Sequence, residues 1–144
     1  LTQVGYTIAI ATNQSGIARG YYSIETLDAM HKKMSNLAAQ FGGKFAAITY
    51  CPHGPDSSCD CRKPLPGLIH QIEKQLNVSA KGAWMVGDSI RDLEAGVAAG
   101  CYPALVRTGK GAQSEAKLAA AGLADAKVFD DLAEFAEFVL GGNK

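Results

Sequence analysis

The sequence predicts an α/β fold: a three-layer sandwich in which helices cover both faces of a mainly parallel sheet. Short apolar runs alternate with amphipathic stretches along the whole chain, and turn-forming residues separate them. No repeat, low-complexity tract or linker divides the chain, so we expect a single domain over residues 1–144. The 14 basic and 14 acidic residues balance, which excludes a disordered polyelectrolyte and a generally basic nucleic-acid binder.

Five strands are predicted. Residues 7–12 are nearly all apolar, which is typical of a strand buried on both faces of a parallel sheet. The other strands are expected at residues 45–50, 83–86, 104–107 and 127–129.

Five helices alternate with these strands. The first covers residues 24–41, with Ser23 as its N-cap and Gly42-Gly43 as its stop. Its apolar residues recur at three- and four-residue spacing: Ile24, Leu27, Met30, Met34, Leu37 and Phe41. Pro66 is placed to begin the second helix, which continues to Leu76. The remaining helices are expected at residues 90–99, 114–121 and 132–140.

The chain carries no signal for a membrane. No apolar run reaches the roughly 18–20 residues that span a bilayer, and no charged-then-apolar leader opens the sequence. We therefore expect no membrane partner and, from the balanced charge, no nucleic-acid partner. Clustered thiols in a chain without a secretion signal indicate a reducing, cytoplasmic setting, and we expect a monomer.

Three thiols and one imidazole lie within eleven residues: Cys51, His53, Cys59 and Cys61. Zn²⁺ prefers such a tetrahedral set of sulfur and nitrogen ligands, and a site closed by four protein ligands is structural. The alternative is a loop whose free cysteines are incidental. We expect zinc to supply the folding energy of this loop, which has few apolar residues, and so to order the Arg62-Lys63 dipeptide that follows it.

Polar chemistry follows three of the predicted strands. Thr12 ends the first strand, the cysteine-rich loop to Lys63 follows the second, and Gly87-Asp88 follows the third. Ligands of open α/β sheets bind at the carboxyl ends of the strands, so we expect these residues to converge on one crevice.

These strand ends suit a phosphoryl group. A hydroxyl and turn N–H groups at Thr12 can cradle phosphoryl oxygens, although a plain polar turn is the alternative. Lys63 offers a point charge and Arg62 a bidentate fork. Asp88 could bind Mg²⁺ through a carboxylate oxygen, or could instead cap the following helix. Asp92 is expected to orient its neighbours.

Taken together, the motifs resemble the haloacid dehalogenase-like phosphohydrolases, and within them the subfamily of heptose bisphosphate and histidinol-phosphate phosphatases. The resemblance rests on the segments 11–20, 51–53, 59–64 and Gly87-Asp88 with Asp92. It implies a Rossmann-like sheet and a Mg²⁺-dependent phosphatase that forms an aspartyl-phosphate intermediate. The implied reaction removes the C7 phosphate of D-glycero-D-manno-heptose 1,7-bisphosphate for lipopolysaccharide or a related surface glycan.

The resemblance also assigns roles to single residues. It implies that Thr12 and Lys63 stabilise the transferring phosphoryl group and that Asp88 binds Mg²⁺. The residues implied to contact the phosphorylated sugar are Asn13, Gln14, Ser15, Arg62 and Ser89.

One departure from the family pattern is the absence of an Asp-x-Asp pair before Thr12, where the family carries its nucleophile. We therefore expect the functional protein to be longer than this chain, with the nucleophile on a strand absent from it, and the chain alone to be inactive. Two alternatives stay open: a histidinol-phosphate phosphatase, and a non-catalytic zinc-stabilised module that binds phosphate.

Overall fold

The structure, a computed structural model, describes residues 1–141; the last three residues of the predicted domain lie outside it. The described residues confirm an α/β fold whose strands pair in parallel. They divide into two compact units: one contains Leu1–Arg62 and Gly67–Val78, and the other contains Lys63–Pro66 and the chain from Ser79 onward. Each unit is described by itself.

The first unit holds a two-stranded parallel sheet and two helices. After a 3₁₀ turn at Thr2–Val4, the elements are β1 (Ile8–Asn13), α1 (Ile24–Ala39), β2 (Phe45–Cys51) and α2 (Gly67–Leu76). β1 and β2 run side by side to their carboxyl ends, where Thr12 pairs with Tyr50 and Asn13 with Cys51. Leu27, Leu68 and Cys51 are fully buried in this unit.

The second unit holds a three-stranded parallel sheet in the order β3-β4-β5. Its elements are β3 (Trp84–Gly87), α3 (Ile90–Ala98), β4 (Tyr102–Val106), α4 (Gly111–Glu115), β5 (Lys127–Phe129) and α5 (Leu132–Leu140). One core cluster joins four leucines: Leu93, Leu105, Leu118 and Leu123. A second group of packed rings comprises Trp84, Phe129, Phe135 and Phe138.

The first predicted strand is less buried than expected. Every residue of β1 is only partly buried, because within the described residues β1 pairs with β2 alone and forms an edge of its sheet. The predicted strand of a parallel sheet is therefore confirmed, with both of its faces partly rather than fully buried.

Helix α1 ends at Ala39, two residues earlier than predicted. Gly42 has φ +77°, and the Gly43 N–H donates to the Ala38 carbonyl at 2.9 Å, so the glycine pair turns the chain as expected. Phe41 falls beyond the helix and is 86% exposed, so it does not extend the apolar face. The predicted Ser23 cap is confirmed, since its hydroxyl accepts a hydrogen bond from the Thr26 N–H at 3.2 Å.

The fourth helix was placed wrongly at residues 114–121. It covers Gly111–Glu115, and the chain then continues in turns. After Glu115 the N–H groups of Lys117 and Leu118 donate three residues back, to the Ser114 and Glu115 carbonyls, so the α-helical pattern ends there. A Cβ at Gly111 would overlap the Val106 carbonyl, so a glycine is needed at the first position of this helix. The following turns bring Leu118 into the core.

None of the helices in the described part of the chain is both long and apolar enough to cross a bilayer.

Candidate active site and metal centre

The structure brings together the four predicted zinc ligands in the first unit. Cys51 is the last residue of β2, and its fully buried thiol lies 3.5 Å from His53 Nδ1 and 3.6 Å from the Cys59 thiol. The Cys61 thiol lies 3.4 Å from the same His53 nitrogen. All four donor atoms lie within 4.8 Å of one another.

These spacings fit a tetrahedral zinc site. Bonds of about 2.3 Å to sulfur and about 2.0–2.1 Å to nitrogen put two sulfurs about 3.8 Å apart and a sulfur and a nitrogen about 3.6 Å apart. The Cys51–Cys59 sulfur–sulfur distance of 3.6 Å and the distances of 3.5 and 3.4 Å from His53 Nδ1 to the Cys51 and Cys61 sulfurs agree within about 0.2 Å, and the other donor pairs lie within 4.8 Å. The donor set therefore fits Zn²⁺ in both chemistry and spacing.

Burial and hydrogen bonding shift the pKa values of Cys59 and Cys61 in opposite directions. Burial raises the pKa of the Cys61 thiol to about 12, with hydrogen bonds and charge from Cys51 and Cys59 acting in the same direction. Burial also raises the pKa of Cys59, but hydrogen bonds from the Arg62 backbone, Ser57 and the other two cysteines outweigh it and lower that pKa to about 6. One thiolate is thus favoured in the cluster and a second is opposed, which is the situation that a bound cation relieves.

The cysteine loop is anchored on both sides. Cys51, Cys61 and Leu68 form a buried cluster, and the Gly67 N–H donates to the Asp60 carbonyl at 3.0 Å. The Arg62 guanidinium donates to the His53 carbonyl at 3.3 Å. Arg62 is therefore tied to the same loop that carries the metal ligands.

Thr12 and the residues after it lie at the carboxyl ends of β1 and β2, where Cys51 also lies. Gln14 continues the pairing beyond β1, because its N–H donates to the Cys51 carbonyl at 2.7 Å. The Gln14 side-chain amide donates from Nε2 to Thr12 Oγ1 at 3.1 Å, and the Tyr22 hydroxyl donates to Gln14 Oε1. The carboxyl ends of the first two strands therefore lie side by side in this unit, as predicted.

In the second unit, Asp88 follows the last residue of β3 but does not cap a helix. The N-cap of α3 is Ser89: its hydroxyl accepts from the Asp92 N–H at 3.3 Å, and the Asp92 carboxylate accepts from the Ser89 N–H at 3.3 Å. The alternative interpretation of Asp88 as a helix cap is therefore wrong.

Two groups of the α4 region hold Asp88. The Lys110 N–H donates to Asp88 Oδ2 at 3.0 Å, and the Ser114 hydroxyl donates to the Asp88 carbonyl at 2.9 Å. Gly109 allows the close approach, because it has φ +60° and a Cβ there would overlap the Asp88 carboxylate. A carboxylate fixed at a strand end is a hard oxygen ligand of the kind that Mg²⁺ prefers.

Lys63 and Asp92 also meet in the second unit. Lys63 Nζ lies 2.6 Å from Asp92 Oδ1, and their side chains are only 11% and 13% exposed. Asp92 thus contacts both Lys63 and the Ser89 backbone, a geometry suited to orienting a lysine.

Sequence reasoning missed several contributors to these arrangements. Tyr22 was not singled out, although it contacts Gln14 eight residues earlier. The sequence predicts Ser114 only as a helix start, although its side chain is buried against the Asp88 backbone. The ion-pair group of Arg107 with Glu115 and Asp130 was also missed. The two glycines in Gly109-Lys110-Gly111 are the sequence signal that could have indicated a close approach of this segment to the Asp88 carboxylate.

Comparison with known proteins identifies the family. The model of the family described as HAD-hydrolase-like matches residues 60–135. D-glycero-β-D-manno-heptose-1,7-bisphosphate 7-phosphatase of Pseudomonas aeruginosa is 52% identical over 140 residues, which are 97% of this chain and 77% of that protein. The same-named protein of Neisseria meningitidis is 46% identical over 143 residues, covering 99% of this chain and 76% of the relative.

A solved structure indicates the same family. The chain is similar to D,D-heptose 1,7-bisphosphate phosphatase from B. bronchiseptica in complex with magnesium and phosphate, with a TM-score of 0.90 and 49% identity over 99% of this chain and 78% of that one. The chain therefore belongs to the HAD-like phosphatases, in the family of the D-glycero-β-D-manno-heptose-1,7-bisphosphate 7-phosphatases.

Proposed function

We propose that this phosphatase removes the C7 phosphate of D-glycero-β-D-manno-heptose 1,7-bisphosphate in a Mg²⁺-dependent reaction. The observation that carries the proposal is the 52% identity, over 97% of the chain, to a phosphatase named for that substrate. The fixed carboxylate of Asp88 and the close Lys63–Asp92 pair support it, because phosphoryl transfer relies on positioned charge.

Each site residue has a role in this proposal. Thr12 donates its hydroxyl hydrogen to a phosphoryl oxygen, and the Lys63 ammonium neutralises charge that develops on the transferring group. Asp88 holds Mg²⁺, which when bound supplies further positive charge to the phosphoryl oxygens. Asp92 orients Lys63. The residues that the family resemblance assigns to substrate binding are Asn13, Gln14, Ser15, Arg62 and Ser89.

The reaction in this proposal proceeds through an aspartyl phosphate, so that water later cleaves an acyl phosphate. None of the eight aspartates of the 144 residues forms an Asp-x-Asp pair. Activity should accordingly be measured on the product of the complete reading frame.

Zinc in this proposal is structural. Cys51, His53, Cys59 and Cys61 use all four positions of a tetrahedral ion, so no position is left for substrate. The ion stabilises the loop that carries Arg62, whose guanidinium contacts the His53 carbonyl.

The proposal is tested by the rate of phosphate release from the heptose bisphosphate and from histidinol phosphate, with Mg²⁺ and with a chelator. We expect a large preference for the heptose substrate and a requirement for Mg²⁺. Thr12→Val and Asp88→Asn should each lower kcat by about 10²–10³-fold. A preference for histidinol phosphate would overturn the substrate assignment, and phosphate binding without any turnover would indicate a binding module.

A further inference from the structure

Two successive hydrogen bonds in the first unit, from Tyr22 to Gln14 and from Gln14 to Thr12, form a relay that sets the direction of the Thr12 hydroxyl. Tyr22 donates to Gln14 Oε1, and Gln14 donates from Nε2 to Thr12 Oγ1 at 3.1 Å. All three residues are partly buried. The Thr12 hydroxyl itself points to the Asn13 carbonyl at 3.4 Å, which is long for an O–H···O bond.

The direction of the two hydrogen bonds in this relay follows from which atoms of each side chain can donate and which can accept. A carboxamide has one acceptor end and one donor end, so the tyrosine that donates to Oε1 turns Nε2 toward Thr12. Thr12 Oγ1 then accepts, and its own hydrogen, which makes only the long contact to the Asn13 carbonyl at 3.4 Å, can be donated to a phosphoryl oxygen instead. If the amide were reversed, Oε1 would compete for the hydrogen that a phosphoryl oxygen needs.

The position of the Tyr22 ring is built into the turn. Gly16 lies directly beneath it, and a Cβ there would overlap the ring and its hydroxyl. A glycine is therefore required at position 16 for the Tyr22 hydroxyl to reach Gln14.

We propose that Tyr22 is a positioning residue that, through Gln14, holds the Thr12 hydroxyl as a hydrogen-bond donor to the phosphoryl group. This inference rests on the proposed function, because it needs Thr12 to contact the phosphoryl group. It changes the role of Gln14 from direct substrate contact to control of Thr12.

The first test compares Tyr22→Phe with Tyr21→Phe in the product of the complete reading frame. Tyr21 is 75% exposed, and its substitution serves as the matched control. Tyr22→Phe should lower kcat/KM for the bisphosphate and weaken inhibition by inorganic phosphate, each about three- to tenfold, which corresponds to one hydrogen bond. Gly16→Ala should have the same effect by displacing the ring. Thermal unfolding of each variant reports whether the fold is retained.

The second test is a double-variant cycle. Tyr22→Phe should have no further effect in a Thr12→Val background, since the tyrosine acts only through that hydroxyl. Additive losses would overturn the relay. If Thr12→Val alone matched the wild type, the proposed role of Thr12 would fail and the relay with it. If Thr12→Val were impaired and Tyr22→Phe were not, only the relay would be overturned.

The third test uses a pH profile that a purely structural role would not produce. In Gln14→Glu the ionised carboxylate accepts from both neighbours, whereas the protonated acid again has one donor and one acceptor. The activity of this variant relative to the wild type should therefore rise as the pH falls toward the ordinary glutamate pKa of about 4.3. A ratio that stays constant with pH would contradict the relay.

Discussion

The ion pair between Lys63 and Asp92 should be strongly coupled. The two charged atoms lie 2.6 Å apart, and the side chains are only 11% and 13% exposed, so neither charge is well solvated if its partner is removed. Breaking a buried pair by removing one partner costs roughly 3–5 kcal/mol. The residual exposure places the expected cost of each single variant at the lower end of this range, about 3 kcal/mol of unfolding free energy.

The substitutions are Lys63→Met, Asp92→Asn and the double variant. Asparagine keeps a side-chain oxygen that can accept the Ser89 N–H, so Asp92→Asn removes the charge and not the helix cap. Denaturant unfolding followed by circular dichroism gives the free energy of each variant. The double variant should lose at least about 1.5 kcal/mol less than the sum of the single variants.

The exposed Arg107–Asp130 pair of the same unit provides the control cycle. Its side chains are 43% and 73% exposed, so solvent screens the interaction and its coupling should be far smaller. Coupling of Lys63 with Asp92 below about 0.5 kcal/mol would refute the argument from burial.

Four further outcomes are expected. Ser114→Ala should weaken the Mg²⁺ affinity by about three- to tenfold, because the Asp88 backbone loses one hydrogen bond. Titration calorimetry measures this affinity, and an unchanged value would show that α4 does not position the Asp88 carboxylate. Removal of zinc by a chelator should raise hydrogen exchange of the backbone amides over residues 51–63, and exchange equal to that of the zinc-loaded protein would contradict a structural ion. Glu115→Gln should reduce the stability that the protein loses on acidification. The hydrogen bond from Arg107 lowers the pKa of Glu115, so the pair stabilises the fold above the ordinary glutamate pKa of about 4.3. That contribution is lost as the pH falls through the lower pKa of the folded state. Identical acid unfolding curves of variant and wild type would contradict this. The 144-residue chain by itself, which has no Asp-x-Asp pair, should show no Mg²⁺-dependent turnover, and robust turnover would refute the need for such a nucleophile.

Features specified by nearby residues were predicted well. The metal-ligand spacing of Cys51 to Cys61 requires only a loop that folds back on itself, and Ser23 caps its helix through a residue three positions away. β5 and α5 have the bounds expected from their apolar patterns, because short periodic segments carry their own signal.

Features that depend on packing or on distant side chains were missed. The fourth helix begins at Gly111, where only a glycine fits beside the Val106 carbonyl, and no periodicity reveals that restriction. Tyr22 contacts Gln14 across an irregular turn, and Ser114 contacts the Asp88 carbonyl 26 residues away. Such contacts exist only once the chain has folded, so the candidate site could be predicted as a set of residue types but not as a set of hydrogen bonds.

The most direct test of the proposed activity is phosphorus NMR of D-glycero-β-D-manno-heptose 1,7-bisphosphate during incubation with Mg²⁺ and the product of the complete reading frame. The proposal predicts that the C7 phosphate signal is replaced by inorganic phosphate while the C1 phosphate signal persists, and that Asp88→Asn slows this conversion by about 10²–10³-fold. Loss of the C1 phosphate first, or conversion that is as fast in Asp88→Asn as in the wild type, would contradict it.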